Sequence, residues 1–203
     1  MKKGIMMVLL IIALVIMTFC GYLIQENVQH EKLLKNYPVD YAVLIRQSAE
    51  EFGLDPYFVL SIMRCESSFD ADAVSNRGAI GLMQIMPDTG TWVAHKLDMD
   101  DIYAKKLLYD PATNIRFGCW YLQFLSNRFD GNRMHMIAAY NAGHRVVENW
   151  LEDPAYSDNG QLTMIPYDST AVYYERVIKA YETYQSLYPQ LFLTTTPESN
   201  AVA

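Results

Sequence analysis

The sequence predicts an all-α protein: an orthogonal bundle of helices carried behind one N-terminal transmembrane helix. Three observations carry this. The run from Gly4 to Ile24 contains no charged residue. Further on, Asp-Pro pairs at Asp55-Pro56 and Asp110-Pro111 each introduce an apolar stretch of helical period. Alternating strand patterns are few throughout, and no internal repeat or low-complexity tract appears.

The first 24 residues read as a cytoplasmic N-terminus and membrane anchor, since about 20 apolar residues suffice to cross a hydrocarbon core as a helix. A cleaved signal peptide fits less well, because Met17, Thr18, Phe19 and Cys20 lack the small residues of a cleavage site. Lys2 and Lys3 precede the span, so the positive-inside rule predicts a single-pass protein of the cell membrane with the following domain outside the cytoplasm. Residues 25–38 are polar and charged, a stalk that is either helical or flexible. Residues 39–188 are expected to form one domain, and 189–203 a flexible tail of small and polar residues.

Within the domain, Tyr41, Leu44, Ile45, Ala49 and Phe52 mark one face of a helix from Asp40 that Gly53 stops. Asp55 caps the next helix and Pro56 starts it. That helix ends at Glu66, which follows Val59, Ile62 and Met63 on an inward face. A carboxylate on such a face is costly to ionise, so its pKa should rise and the group can act as a proton donor near neutral pH. The plainer alternative is a helix-terminal Glu turned to solvent.

A glycine-punctuated loop follows, with Ser75 and Asn76 suited to local hydrogen bonds and Gly78 and Gly81 to tight turns. Gln84, set among apolar neighbours, needs partners that a ligand rich in hydroxyl and amide groups could provide. Another helix is expected after Pro87, carrying Trp92 and Val93. The one opened by Pro111 shows Ile115, Gly118, Leu122, Leu125 and Phe129 on one face, and a further helix runs to Asn141 and Gly143. Residues 151–164 read as a surface loop.

The net charge of −7 and the lack of a Lys or Arg cluster argue against a nucleic-acid partner. The three cysteines, Cys20, Cys65 and Cys119, match no metal motif, and Cys65 and Cys119 are read as buried free thiols in preference to a disulfide. Most of the 15 tyrosines are expected in the core, although amphipathic rings also line sugar clefts.

Three stretches, Glu66 to Phe69 (ESSF), A-x-S-x-x-G-A-x-G-L-M-Q-x-M-P-x-T at Ala73 to Thr89, and AYNAG at Ala139 to Gly143, resemble the catalytic domain of the soluble-lytic-transglycosylase type. This is glycoside hydrolase family 23, with a lysozyme-like fold, and the resemblance covers roughly Val39 to Tyr181. It implies a peptidoglycan lytic transglycosylase with Glu66 as catalytic acid and base, and with no metal or cofactor. It also implies Ser75 and Tyr140 as the residues orienting Glu66, and Met83, Gln84, Asn141 and Tyr173 as contacts to the glycan strand. The family's closing helix usually places Glu-Thr shortly before a Tyr, whereas Ser169 stands here before Thr170 and Tyr173. That departure puts a second acidic cleft contact in question. Two other readings remain open: a hydrolytic muramidase using Asp70, Asp72 or Asp88 as base, and a non-catalytic wall-binding protein.

Overall fold

The computed structural model describes residues 2–100 and 103–193, so the expected tail from Thr194 lies outside the described residues. The chain divides into two compact units after Pro38. The first is one helix, α1 (Lys2–Asn36), long and apolar enough to cross a membrane. It runs unbroken through the expected stalk, so residues 25–36 are helical. At 1.5 Å per residue its 35 residues extend about 52 Å.

The second unit contains α2 (Ala42–Phe52), α3 (Pro56–Ser67), α4 (Pro87–Lys96), a 3₁₀ turn at Lys105–Tyr109, α5 (Pro111–Arg128), α6 (Arg133–Ala142), α7 (His144–Glu152) and α8 (Asp168–Leu187). The two Asp-Pro starts form as their chemistry requires. Asp55 accepts from the Tyr57 N–H at 2.9 Å and Asp110 from the Thr113 N–H at 2.8 Å. Gly53 ends α2 with φ +65°, a conformation glycine adopts at no steric cost.

Two features depart from the sequence reading. Gly143 ends α6 and at once starts α7, a helix the sequence reading does not contain. The stretch read as a surface loop also carries a short antiparallel hairpin, β1 (Ser157–Asp158) with β2 (Gln161–Leu162). Buried His135 holds this hairpin, its Nε2 accepting the Leu162 N–H at 3.2 Å. Burial pushes the His135 pKa down, which keeps the ring neutral and the nitrogen free to accept.

The core lies where α3 packs on α8, α2 on α5, and α6 on α7 and α8. Ile45, Val59, Leu60, Ile62, Phe117, Leu122, Ile137 and Val177 are fully enclosed there. Each enclosed side chain contributes roughly 1.5–3 kcal/mol of transfer free energy. Cys65 and Cys119 are buried and unpaired, as the sequence suggests. Burial raises both thiol pKa values, so neither is an available nucleophile. This packing fixes the C-terminal end of α3, and with it Glu66, between the glycine loop and α8.

Candidate active site

Glu66 stands in the last turn of α3, half-buried. Its Oε1 accepts the Tyr173 hydroxyl at 2.6 Å. Burial pushes its pKa up from 4.5 to about 7, against the lowering effects of the Tyr173 bond and of the nearby Arg176 charge. The group is therefore divided between acid and carboxylate near neutral pH. That balance suits a residue that must give and then take a proton.

The loop after α3 is built to hold one wall of a cleft. Ser67 Oγ donates to the Leu82 carbonyl at 2.9 Å, tying the helix end to the far side of the loop. Ile80 exchanges two backbone hydrogen bonds with Ile85, each 3.0 Å, and Gly81 N–H donates to the Ala73 carbonyl at 2.8 Å. Gly81 has φ +76°, and a Cβ there would collide with the Leu108 carbonyl and the Asn114 amide. No other residue type fits that approach.

Asn114, on α5 and buried, holds this loop from beneath. Its Oδ1 accepts the Met83 N–H at 2.7 Å, while its Nδ2 donates to the carbonyls of Ile80 at 2.9 Å and Leu108 at 2.6 Å. Sequence reasoning missed Asn114. The available signal was an amide on the inward face of an apolar helix, which must find partners wherever it is buried.

The expected site residues are sorted by the structure into cleft and support. An open cleft of about 400 Å³ is lined by Glu66, Ser75, Gln84, Tyr121, Tyr140 and Asn141, among others. Met83 does not reach it: the side chain is fully buried and packs against Gly118, where a Cβ would meet it at 2.7 Å. Tyr173 is likewise enclosed, at 5% exposure, so it bonds Glu66 instead of contacting a ligand. Tyr140 does not bond Glu66. Its hydroxyl donates to the Met83 carbonyl at 2.8 Å and thereby fixes the loop. Ser75 Oγ accepts the Ala79 N–H at 3.0 Å, closing a turn beside the cleft, with no bond to Glu66. The orienting contact thus comes from α8, whose register against α3 sets which tyrosine arrives.

Gln84 takes φ +48° and donates through Nε2 to the carbonyls of Gly81 at 2.9 Å and Ala73 at 3.2 Å. These bonds hold an unfavourable backbone conformation and leave the amide oxygen at the cleft. Asn141 Oδ1 accepts from Thr170 Oγ1 at 2.8 Å, joining the end of α6 to the start of α8. Ser169 is exposed at that same helix start. Glu66 is the sole carboxylate among the described residues that line the cleft, and Asp70, Asp72 and Asp88 are all exposed outside it.

Known proteins resemble this chain in sequence and in fold. Residues 43–161 match the transglycosylase SLT domain family. The chain is 36% identical over 154 residues to membrane-bound lytic murein transglycosylase C of Histophilus somni, a match covering 64% of this chain and 42% of that protein. It is 33% identical over 156 residues to the soluble lytic murein transglycosylase of Salmonella typhimurium, covering 76% of this chain and 24% of the relative. The chain therefore spans less than half the length of these curated relatives. Among solved structures, the 70 kDa soluble lytic transglycosylase of Escherichia coli superposes with a TM-score of 0.70 at 29% identity, over 81% of this chain and 27% of that one. The fold is thus the lysozyme-like helical fold of these enzymes. With a match over more than half its length, the chain belongs to the transglycosylase SLT domain family.

Proposed function

We propose that this protein is a membrane-anchored lytic transglycosylase that cleaves the β-1,4 bond from N-acetylmuramic acid to N-acetylglucosamine in peptidoglycan and leaves 1,6-anhydro-N-acetylmuramic acid ends. The observation that carries this reading is the one carboxylate that the described residues bring to the cleft, held by Tyr173 with its pKa raised to about 7. Glu66 in its protonated form gives its proton to the glycosidic oxygen as the bond breaks. The carbonyl oxygen of the sugar's own 2-acetamido group stabilises the cationic carbon. Glu66, now a carboxylate, takes the proton of the muramic 6-hydroxyl as that oxygen closes on the same carbon, and the acid is restored.

One carboxylate suffices for this sequence. A retaining hydrolase needs a second at about 5 Å, and an inverting one needs a second at about 6.5–9.5 Å to activate water. The exposed Asp70, Asp72 and Asp88 do not line the cleft, which weighs against the muramidase reading. An internal hydroxyl held beside the reacting carbon also has an effective concentration on the order of 10⁵ M or more, far above water. Helix α1 supports anchoring, with the N-terminus in the cytoplasm and the catalytic unit outside.

The test is digestion of purified sacculi by the full chain in detergent, followed by mass analysis. Muropeptides lighter by one water and resistant to borohydride are expected. Mainly reducing ends would replace this reading with a muramidase, and sacculi bound but left intact would indicate a wall-binding protein.

A further inference from the structure

Arg77 is the one basic side chain that the described residues bring to the cleft, as Glu66 is the one acid. It stands at the corner of a tight turn. The Gly78 N–H donates to the Ser75 carbonyl at 2.8 Å, and the Ser75 N–H donates to the Ala79 carbonyl at 2.9 Å. Ser75 Oγ accepts the Ala79 N–H from the other side, and Gly78 closes the turn with φ +84°. These contacts fix the backbone of Asn76 and Arg77 and leave both side chains exposed.

Nothing within the fold uses the Arg77 charge. The guanidinium makes no ion pair or hydrogen bond among the described residues, whereas Arg116 pairs with Glu51, Arg128 with Glu148 and Arg133 with Asp55. Nor does it tune the proton of Glu66, since the charge that lowers the Glu66 pKa is that of Arg176. The family pattern does not call for it either: Arg77 fills the second of the two open positions in A-x-S-x-x-G. The protein carries a net charge of −7, so its overall field repels an anionic polymer and attraction must come from a local cation.

Peptidoglycan and chitin share a β-1,4-linked N-acetylhexosamine chain, and what sets peptidoglycan apart is the 3-O-lactyl group on each muramic residue. That group ends in a carboxylate where the strand is naked, and in a peptide with carboxylates of its own where the strand is decorated. We infer that Arg77 binds a carboxylate of this substituent, so that the cleft selects a muramic residue over an N-acetylglucosamine residue by charge. The planar guanidinium offers a carboxylate two parallel N–H donors, a match that a Lys ammonium does not reproduce. This rests on the glycan-cleaving reading of the cleft and adds to it the feature by which the strand is recognised.

The experiment measures binding by calorimetry to the full chain in detergent, with Glu66→Gln to prevent turnover. The four probes have equal numbers of sugars: naked strands with free lactyl carboxylates, strands with peptide stems, the same stems with their carboxylates amidated, and N-acetylglucosamine oligomers. At low ionic strength an anionic strand should bind about fivefold more tightly than the N-acetylglucosamine oligomer. Adding Arg77→Gln should bring that ratio to about one, and Arg77→Lys should keep part of it. Salt should erode the ratio in the parent. Lys179→Gln, which removes an equal charge from an exposed position of α8 outside the cleft, should leave it unchanged. A preference for naked strands assigns the contact to the lactyl carboxylate, and a preference for stems that amidation abolishes assigns it to the peptide. A ratio of one in the parent, a ratio that survives Arg77→Gln, or a preference for stems that amidation leaves whole would overturn the assignment. If the neutral oligomer binds and the anionic strands bind no better, the role of Arg77 alone fails; if no strand binds, the reading of the cleft fails with it.

Discussion

The Tyr173 hydroxyl donates to Glu66 Oε1 at 2.6 Å across 107 residues of sequence, while the Tyr140 hydroxyl is spent on the Met83 carbonyl. The tyrosine that lines the cleft and the one enclosed behind Glu66 therefore do different work. Tyr173→Phe removes a donor that favours the carboxylate form of Glu66, so the Glu66 pKa rises further. The alkaline limb of the pH–rate profile should move to higher pH, with the maximal rate down by about tenfold to a hundredfold for the lost orientation. Tyr140→Phe should leave that limb in place. It should instead lower thermal stability by about 1 kcal/mol, because the Met83 carbonyl loses its donor. A Tyr140→Phe profile that shifts as the Tyr173→Phe profile does would assign both hydroxyls to Glu66.

Glu66→Gln should abolish turnover and yet stabilise the fold. The folded pKa of about 7 lies above the ordinary 4.5, so the unfolded chain ionises first as pH rises. The contribution of Glu66 to stability is full below about pH 4.5 and is lost as pH rises to 7. An amide cannot ionise, so the variant should gain on the order of 2 kcal/mol over the parent at pH 8 and little at pH 4. Paired thermal melts at the two pH values read this. Equal differences at both would mean that Glu66 is not held against ionisation.

How far the sequence alone reached follows from the range of the interactions involved. The Asp55 and Asp110 caps, the Gly53 stop and the glycine loop depend on residues within a few positions of one another, and they form as read. Glu66 was legible because its place on an inward helical face predicts desolvation. The partner of Glu66 was not, since the choice between Tyr140 and Tyr173 depends on how α8 lies against α3. Met83 was misplaced because its apolar neighbours occur equally in a cleft and in a core, and only the missing side chain of Gly118 shows where it fits. Helix α7 was missed because Gly143, a stop signal for α6, also serves as the cap that begins the next helix.

Asn114 should matter more than any residue that touches the cleft alone. Asn114→Ala leaves the Met83 N–H and the carbonyls of Ile80 and Leu108 without their partner in a buried place. Each such orphan costs about 1–3 kcal/mol, so a loss of about 3 kcal/mol or more is expected. Asn114→Asp keeps the acceptor but sets a carboxyl against two carbonyl oxygens, and should be no better. Hydrogen exchange at residues 80–85 should accelerate in both variants before the rest of the fold loosens. Uniform loosening would mean that Asn114 supports the whole core and not the loop.

Removing residues 1–29 should free the protein from membranes and leave the second unit folded, since that unit has its own core after Pro38. Fractionation without detergent and circular dichroism check the two halves of this. Precipitation with loss of helical signal would place the apolar part of α1 in the fold instead of the bilayer.

Arg176 should govern the pH at which turnover stops. The guanidinium lies one turn of α8 beyond Tyr173 and donates from Nη2 to the Cys65 carbonyl at 3.3 Å, beside Glu66. Its positive charge lowers the Glu66 pKa and so opposes burial. The other titratable groups about the carboxylate are Tyr173, Tyr140, Cys65 and the cleft residue Arg77. Neither tyrosine nor the thiol offers a compensating positive charge. Arg176→Gln should therefore raise the Glu66 pKa, keep the acid protonated to higher pH and carry the alkaline limb upward. Arg176→Lys retains the charge and should stay near the parent. Because Arg176 is exposed, salt should screen the difference, so the two profiles should converge as ionic strength rises. A limb that moves down in Arg176→Gln, or that moves equally in Arg176→Lys, would show that the side chain acts by packing on the end of α3 and not by its charge.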